Sequence, residues 1–90
     1  MTTQERYQTA LSNLEEQPLY RLAEIAIYDW KKVYFGAVPY LNALATLAFV
    51  TQNYGCDSGE SIVIYFLSNA QTWRGPVAKL VKAELKRRLK

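Results

Sequence analysis

Proline at positions 18, 39 and 76 and glycine at 36, 55 and 75 cut the chain into five stretches. Proline lacks the backbone N–H that a helix interior needs and disfavours helical geometry in the residue before it, yet it suits a first helical turn. Glycine supplies the left-handed residue on which many helices stop. A chain punctuated in this way can build short helices but no long one.

The stretches between these breaks carry the helical period. Tyr7, Ala10, Leu11 and Leu14 recur along one helical face, with Thr2 and Glu5 spaced as a capping box, so a first helix is expected to end near Glu16. In the second stretch Leu19, Leu22, Ala23, Ala26, Trp30 and Val33 share one face while Arg21, Glu24, Lys31 and Lys32 fall on the other. A third helix opens at Pro39, continues through Leu41, Leu44, Ala45, Ala48 and Phe49, and stops at Gly55; it is uncharged and is expected to be the most buried. Asp57 as cap with Glu60 three residues on announces a fourth, carrying Ile62, Val63, Phe66, Leu67 and Ala70. After Gly75-Pro76, Val77, Val81, Leu85 and Leu89 step by four, with Leu80 beside them, to give a fifth.

One segment reads two ways. Ile62-Val63-Ile64-Tyr65-Phe66 is β-branched and aromatic enough for a short buried strand, which would pair with Val33-Tyr34-Phe35 in an α+β fold. The cap signal and the continuation through Asn69, Ala70 and Gln71 favour helix. The expected fold is therefore all-α, a compact array of about five short helices in one domain over residues 1–90, with connections short enough to set neighbours antiparallel or steeply crossed.

Half of the residues are apolar and 21% are charged, the balance of an ordinary globular domain, and 90 residues suffice for one modest core. The segment from Val33 to Cys56 has no charged residue, but Pro39, Asn42, Gln52 and Asn53 interrupt it, whereas a membrane span wants roughly 20 predominantly apolar residues. No membrane span is expected. The polar start, Met1-Thr2-Thr3-Gln4-Glu5-Arg6, lacks the pattern of an export signal, and the single cysteine, Cys56, suits a reducing compartment, so a cytoplasmic location is expected.

Much chemistry has no footing in this composition. Histidine is absent, which removes the usual general base near neutral pH and the commonest transition-metal ligand. Cys56 would need a neighbour to lower its pKa before acting as a nucleophile, and half-buried filler is its commoner role. The eight carboxylates show neither the spacing of a calcium loop nor any accompanying phosphate-loop signature, and Asp57 with Glu60 is explained by helix capping. No catalytic residue, metal or cofactor is expected, and a non-enzymatic binding protein is the reading that remains.

Charge asymmetry is the strongest functional signal. Residues 74–90 hold seven cations against one anion, Glu84, and carry +6 of a total of +3, which leaves −3 on residues 1–73. On a helical wheel Lys79, Lys82, Lys86 and Lys90 fall in one sector opposite Val81 and Leu85, with Arg87 at its edge. A row of cations at this spacing can follow nucleic-acid phosphates without reading sequence. Arg74 and Trp73 stand at the entrance of the helix, where an aromatic beside a cation could stack on a base, although a core role fits Trp73 better. The competing expectation is a protein-interaction module or homodimer. Its contact surface would use the seven tyrosines and, on the second helix, Ile25 and Tyr28, which lie outside the main apolar face. The last helix could also rest on an anionic membrane surface, but it lacks the aromatic residues that anchor such helices.

Overall fold

In the computed structural model, residues 3–89 are described, with side chains from residue 8 onward. The expected Thr2–Glu5 cap, the face position of Tyr7 and the cation Lys90 lie outside the described residues or side chains. Five α-helices form among the described residues: α1 (Thr3–Ser12), α2 (Leu19–Asp29), α3 (Val38–Leu44), α4 (Gly59–Ser68) and α5 (Pro76–Arg87). Single 3₁₀ turns, Leu14–Glu16 and Phe35–Ala37, precede α2 and α3. The fold is all-α, with one two-residue antiparallel ladder joining β1 (Asn53–Tyr54) to β2 (Asp57–Ser58). Ile62 to Phe66 lie within α4, so the pairing with Val33–Phe35 does not form.

The three prolines act where expected, and Gly55 takes a positive φ in a hairpin turn instead of stopping a helix. Pro18 is the N-cap of α2, and Pro39 and Pro76 sit in the first turns of α3 and α5. Gly55, with φ of 60°, occupies the first central position of the hairpin turn between β1 and β2, where a two-residue loop needs a positive φ. The cap of α4 is displaced by one residue from expectation: Ser58, not Asp57, accepts the N–H of Ser61 through its Oγ at 3.1 Å. Asp57 instead pairs with Tyr54 in the ladder.

The largest departure is α3, which ends at Leu44 instead of running on toward Gly55. Thr46 closes it by donating both its N–H (3.0 Å) and its hydroxyl (2.7 Å) to the carbonyl of Ala43. The next residues have another use. Pro18 has no side-chain oxygen with which to cap α2, and the N–H groups of Leu19 and Tyr20 donate to the carbonyls of Ala48 and Leu47 at 2.9 and 2.8 Å. Phe49, placed on the buried face by the helical reading, is consequently exposed.

A single cluster of buried side chains joins the elements. Leu19, Leu22, Ala23, Ile25 and Ala26 from α2 meet Leu41, Ala43 and Leu44 from α3, Ile62, Val63 and Phe66 from α4, and Ala78, Val81 and Leu85 from α5. At its centre Trp30 and Trp73 stack with centroids 5.9 Å apart and planes 13° from parallel, and Phe66 meets both at 6.4 and 6.3 Å. Contacts of this geometry contribute about 0.5–1.5 kcal/mol each beyond area burial. Every buried side-chain nitrogen and oxygen among the described residues has a hydrogen-bond partner. None of the helices is long and apolar enough to cross a membrane.

Candidate functional site

The residues expected to bind, Arg74, Lys79, Lys82, Lys86, Arg87 and Lys90 with Ile25 and Tyr28 as the alternative, are placed very differently by the fold. Helix α5 buries Ala78, Val81, Glu84 and Leu85, which fixes its rotation and turns Lys79 and Lys86 to solvent. Lys82, between them on the same flank, is only half-exposed. Its Nζ donates to the backbone carbonyl of Trp73 at 2.5 Å and stands 5.9 Å from the indole centroid. That tether joins the body of α5 to the turn at its entrance and holds the ammonium over the edge of the core.

Electrostatics ties Arg74 to the same flank. The Lys82 ammonium is pushed below its ordinary pKa first by partial burial, then by the charge of Lys86, then by that of Arg74. Mutual repulsion of this kind requires cations near one another, and Lys79, Lys86 and Arg74 have no ion pair among the described residues.

Arg87 belongs to the other flank. Its Nε and Nη2 donate to the two carboxylate oxygens of Glu84 at 2.9 and 2.6 Å, and Arg88 donates to Oε2 of the same carboxylate at 2.6 Å. Arg88 also reaches the Leu14 carbonyl at 2.8 Å, so this cluster locks the end of α5 onto the 3₁₀ turn after α1. The expectation that Arg87 edges the free basic face is corrected. Its charge is largely answered by a buried acid, and its guanidinium points toward Glu84 rather than along the lysine row.

Trp73 is core, with 1% of its surface exposed, and its Nε1 donates to Asp29 Oδ2 at 2.9 Å. It has no open face to stack on a nucleobase, and its carbonyl holds the Lys82 ammonium. Ile25 is corrected as well. It is 2% exposed and packs in the core, on a helix that meets both α3 and α5. Tyr28 does remain exposed, with the Lys31 ammonium 5.6 Å from its ring centroid.

The surface also holds features that the sequence did not single out. Phe35 is 80% exposed and leans on Tyr34, with ring centroids 4.9 Å apart. A cleft of about 290 Å³ next to this pair is lined by Tyr34, Ser68, Asn69, Gln71 and Thr72. A larger groove of about 550 Å³ runs between the turn after α1, the segment around Phe49 and the end of α5, with Glu15, Glu16, Arg87 and Arg88 along it. Neither assembles nucleophile, base and acid. No three His, Cys, Asp or Glu side chains converge on a metal-sized site among the described residues. Comparisons with protein families, with characterised proteins and with solved structures gave no match.

Proposed function

We propose that this chain is a non-enzymatic binding protein that holds nucleic-acid phosphates on the flank of α5 formed by Arg74, Lys79, Lys82 and Lys86. The observation that carries this reading is a cluster of cations that makes no ion pair among the described residues. The ion pairs among the described residues, Arg21–Glu24 and the two made by Glu84, all lie elsewhere. Lys79 and Lys86 are two turns apart on one helix, so about 10 Å of backbone can be followed. Lys82 is already immobilised between them, which lowers the entropy lost when a phosphate is gripped. Lys90, the remaining candidate from the sequence, lies outside the described residues.

Such a site gives affinity with little sequence preference, because cations on phosphates position a nucleic acid without reading base edges. A cytoplasmic location accords with this reading, since the lone thiol of Cys56 is exposed and would be kept reduced there. The deciding experiment is fluorescence anisotropy of labelled single- and double-stranded DNA and RNA, titrated with protein over a range of salt. Three or four phosphate contacts predict a slope of log K against log salt of about −2 to −4. The triple substitution Lys79→Glu, Lys82→Gln, Lys86→Glu should abolish binding, whereas Arg87→Gln should leave it nearly unchanged. Absence of binding at low salt by the folded wild type would refute the proposal.

The alternative of a protein-interaction module retains Tyr28 but loses Ile25 to the core. What favours a protein contact is the exposed aromatic pair of Tyr34 and Phe35.

A further inference from the structure

Charge is distributed in a way that separates one face from the rest. From Ser61 to Trp73, as from Val33 to Cys56, the sequence has no charged residue. These two stretches supply α3, nearly all of α4 and the turns beside them, and α3 and α4 pack against each other. Apart from Glu60 in the first turn of α4, their outward surfaces therefore form a face that carries no charge.

That face is also continuous and aromatic. The ring of Tyr40 meets that of Tyr65 at 5.4 Å, and Asn69 Nδ2 donates to the Tyr65 carbonyl at 2.8 Å. Asn69 and Tyr34 close over Gly36 so tightly that a Cβ there would stand 2.8 Å from Asn69 Oδ1 and 2.6 Å from Tyr34 Cε2. Tyr34 in turn touches Phe35. A strip thus runs from Tyr40 through Tyr65, Asn69 and Tyr34 to Phe35, with Ile64 and Val38 also exposed on the same two helices. Depletion of charge together with enrichment in Tyr and Phe is the composition of an interface core, not of ordinary surface.

We infer that this face is a homodimer interface, in which the α3–α4 surface of one chain packs on the same surface of a second copy about a two-fold axis. Three features select a second copy as the occupant. The net charge of +3 would oppose self-association through a charged surface, whereas on this face the one charged side chain is Glu60, in the first turn of α4 and two helical turns or more from Asn69. Its polar groups, Ser61, Ser68, Asn69, Gln71 and Thr72, are hydroxyls and carboxamides that both donate and accept, so each can pair with a copy of itself or of its neighbour. The area also suffices. Exposed aromatic and aliphatic side chains, each roughly 200 Å² when free, together with this polar rim approach the ~800 Å² per partner of a standard interface. Phe35 protrudes beside the 290 Å³ cleft, so the face offers a projection and a recess that a two-fold axis would bring together twice.

This inference stands independently of phosphate binding, which uses α5. Its test is sedimentation equilibrium of the wild type and two charge insertions, with folding checked by circular dichroism. The wild type should dimerise with a Kd in the micromolar range, about 1–100 μM. Phe35→Glu, at an exposed site, should weaken the dimer at least tenfold, and Ile27→Glu, at an exposed apolar site on α2, should leave it intact. Hydrogen exchange should slow with protein concentration in residues 34–40 and 64–72. A wild type that stays monomeric throughout that range overturns the inference, whatever else the face binds. So does a dimer that Ile27→Glu disrupts and Phe35→Glu does not.

Discussion

The indole N–H of Trp73 donates to the carboxylate of Asp29 at 2.9 Å, joining the last residue of α2 to the turn that launches α5 across 44 positions of sequence. The bond makes it possible to bury the whole indole, and it fixes the carbonyl to which Lys82 is tethered. Asp29→Ala should cost about 1–3 kcal/mol, because the indole N–H loses its acceptor in a site closed to water. Asp29→Asn, which keeps a carbonyl oxygen, should recover most of that. Urea unfolding followed by tryptophan fluorescence reads both. Equal losses in the two variants would show that the hydrogen bond is not what Asp29 contributes.

Glu84 should matter unequally to its two arginines. Arg88 is 12% exposed and spans to Leu14, whereas Arg87 is 56% exposed. Arg88→Ala leaves Glu84 and the Leu14 carbonyl short of a donor and should cost about 3 kcal/mol. Arg87→Ala removes a pair with one end in water and should cost clearly less than Arg88→Ala. Thermal unfolding of the two variants gives the ranking, and the reverse order would refute it.

The same cluster predicts an acid limb in stability. The Arg87 hydrogen bonds, with help from Arg88 and against the opposing effect of burial, hold the Glu84 carboxyl below its ordinary value of 4.5. A carboxylate whose pKa is lowered on folding stabilises the native state fully above its unfolded value, and that contribution is lost as pH falls through the folded value. Glu84→Gln should therefore be less stable than wild type at neutral pH, with the gap closing below pH 4.5. Denaturant midpoints measured across that range test it. A gap that stays constant would mean that ionisation of Glu84 is irrelevant.

Lys82 titrates low because of burial, Lys86 and Arg74, in that order. For a lysine lowered on folding, the unfolded chain binds the proton more tightly, so the contribution of Lys82 to stability rises with pH in the window beneath 10.5. Lys86→Gln and Arg74→Gln should each move its titration upward, the former by more, as followed by the Cε resonance in NMR. No movement in either variant would dissolve the cation cluster on which phosphate binding is proposed.

Two glycines should respond differently to alanine. At Gly59 a Cβ would meet Val50 at its carbonyl oxygen (2.7 Å) and its Cα (2.9 Å), both backbone atoms that cannot turn aside. Overpacking of this kind costs about 1–3 kcal/mol. At Gly36 the obstacles are the Tyr34 ring and the Asn69 carboxamide, which can move outward. Gly59→Ala should lower the melting temperature more than Gly36→Ala does.

What could be read in the sequence was local. Pro18, Pro39 and Pro76 mark helix starts because their backbone restriction acts wherever they stand, and the helical period of Leu19, Leu22 and Ala26 needs only one buried side. What could not be read depended on partners distant in sequence. Helix α3 stops early because Leu47 and Ala48 serve α2, and no propensity encodes that demand. Ile25 looked spare because the elements packed against α2, α3 and α5, lie further along the chain. The basic row was visible as a spacing, and Glu84 stood three and four residues before Arg87 and Arg88, where helical pairs meet. Only the fold showed that Arg87 turns to Glu84 and that Lys82 holds a carbonyl.

The borrowed cap of α2 sets the order in which the protein can come into being. As the chain is synthesised, Leu19 and Tyr20 emerge well before Leu47 and Ala48, whose carbonyls their amides require. The nascent α2 therefore has an unfinished end until the residues past α3 arrive and fold back. Such a loop must close before its contacts reward it. The first half of the protein thus waits for the second, and folding should register as one event and not as helices added in turn.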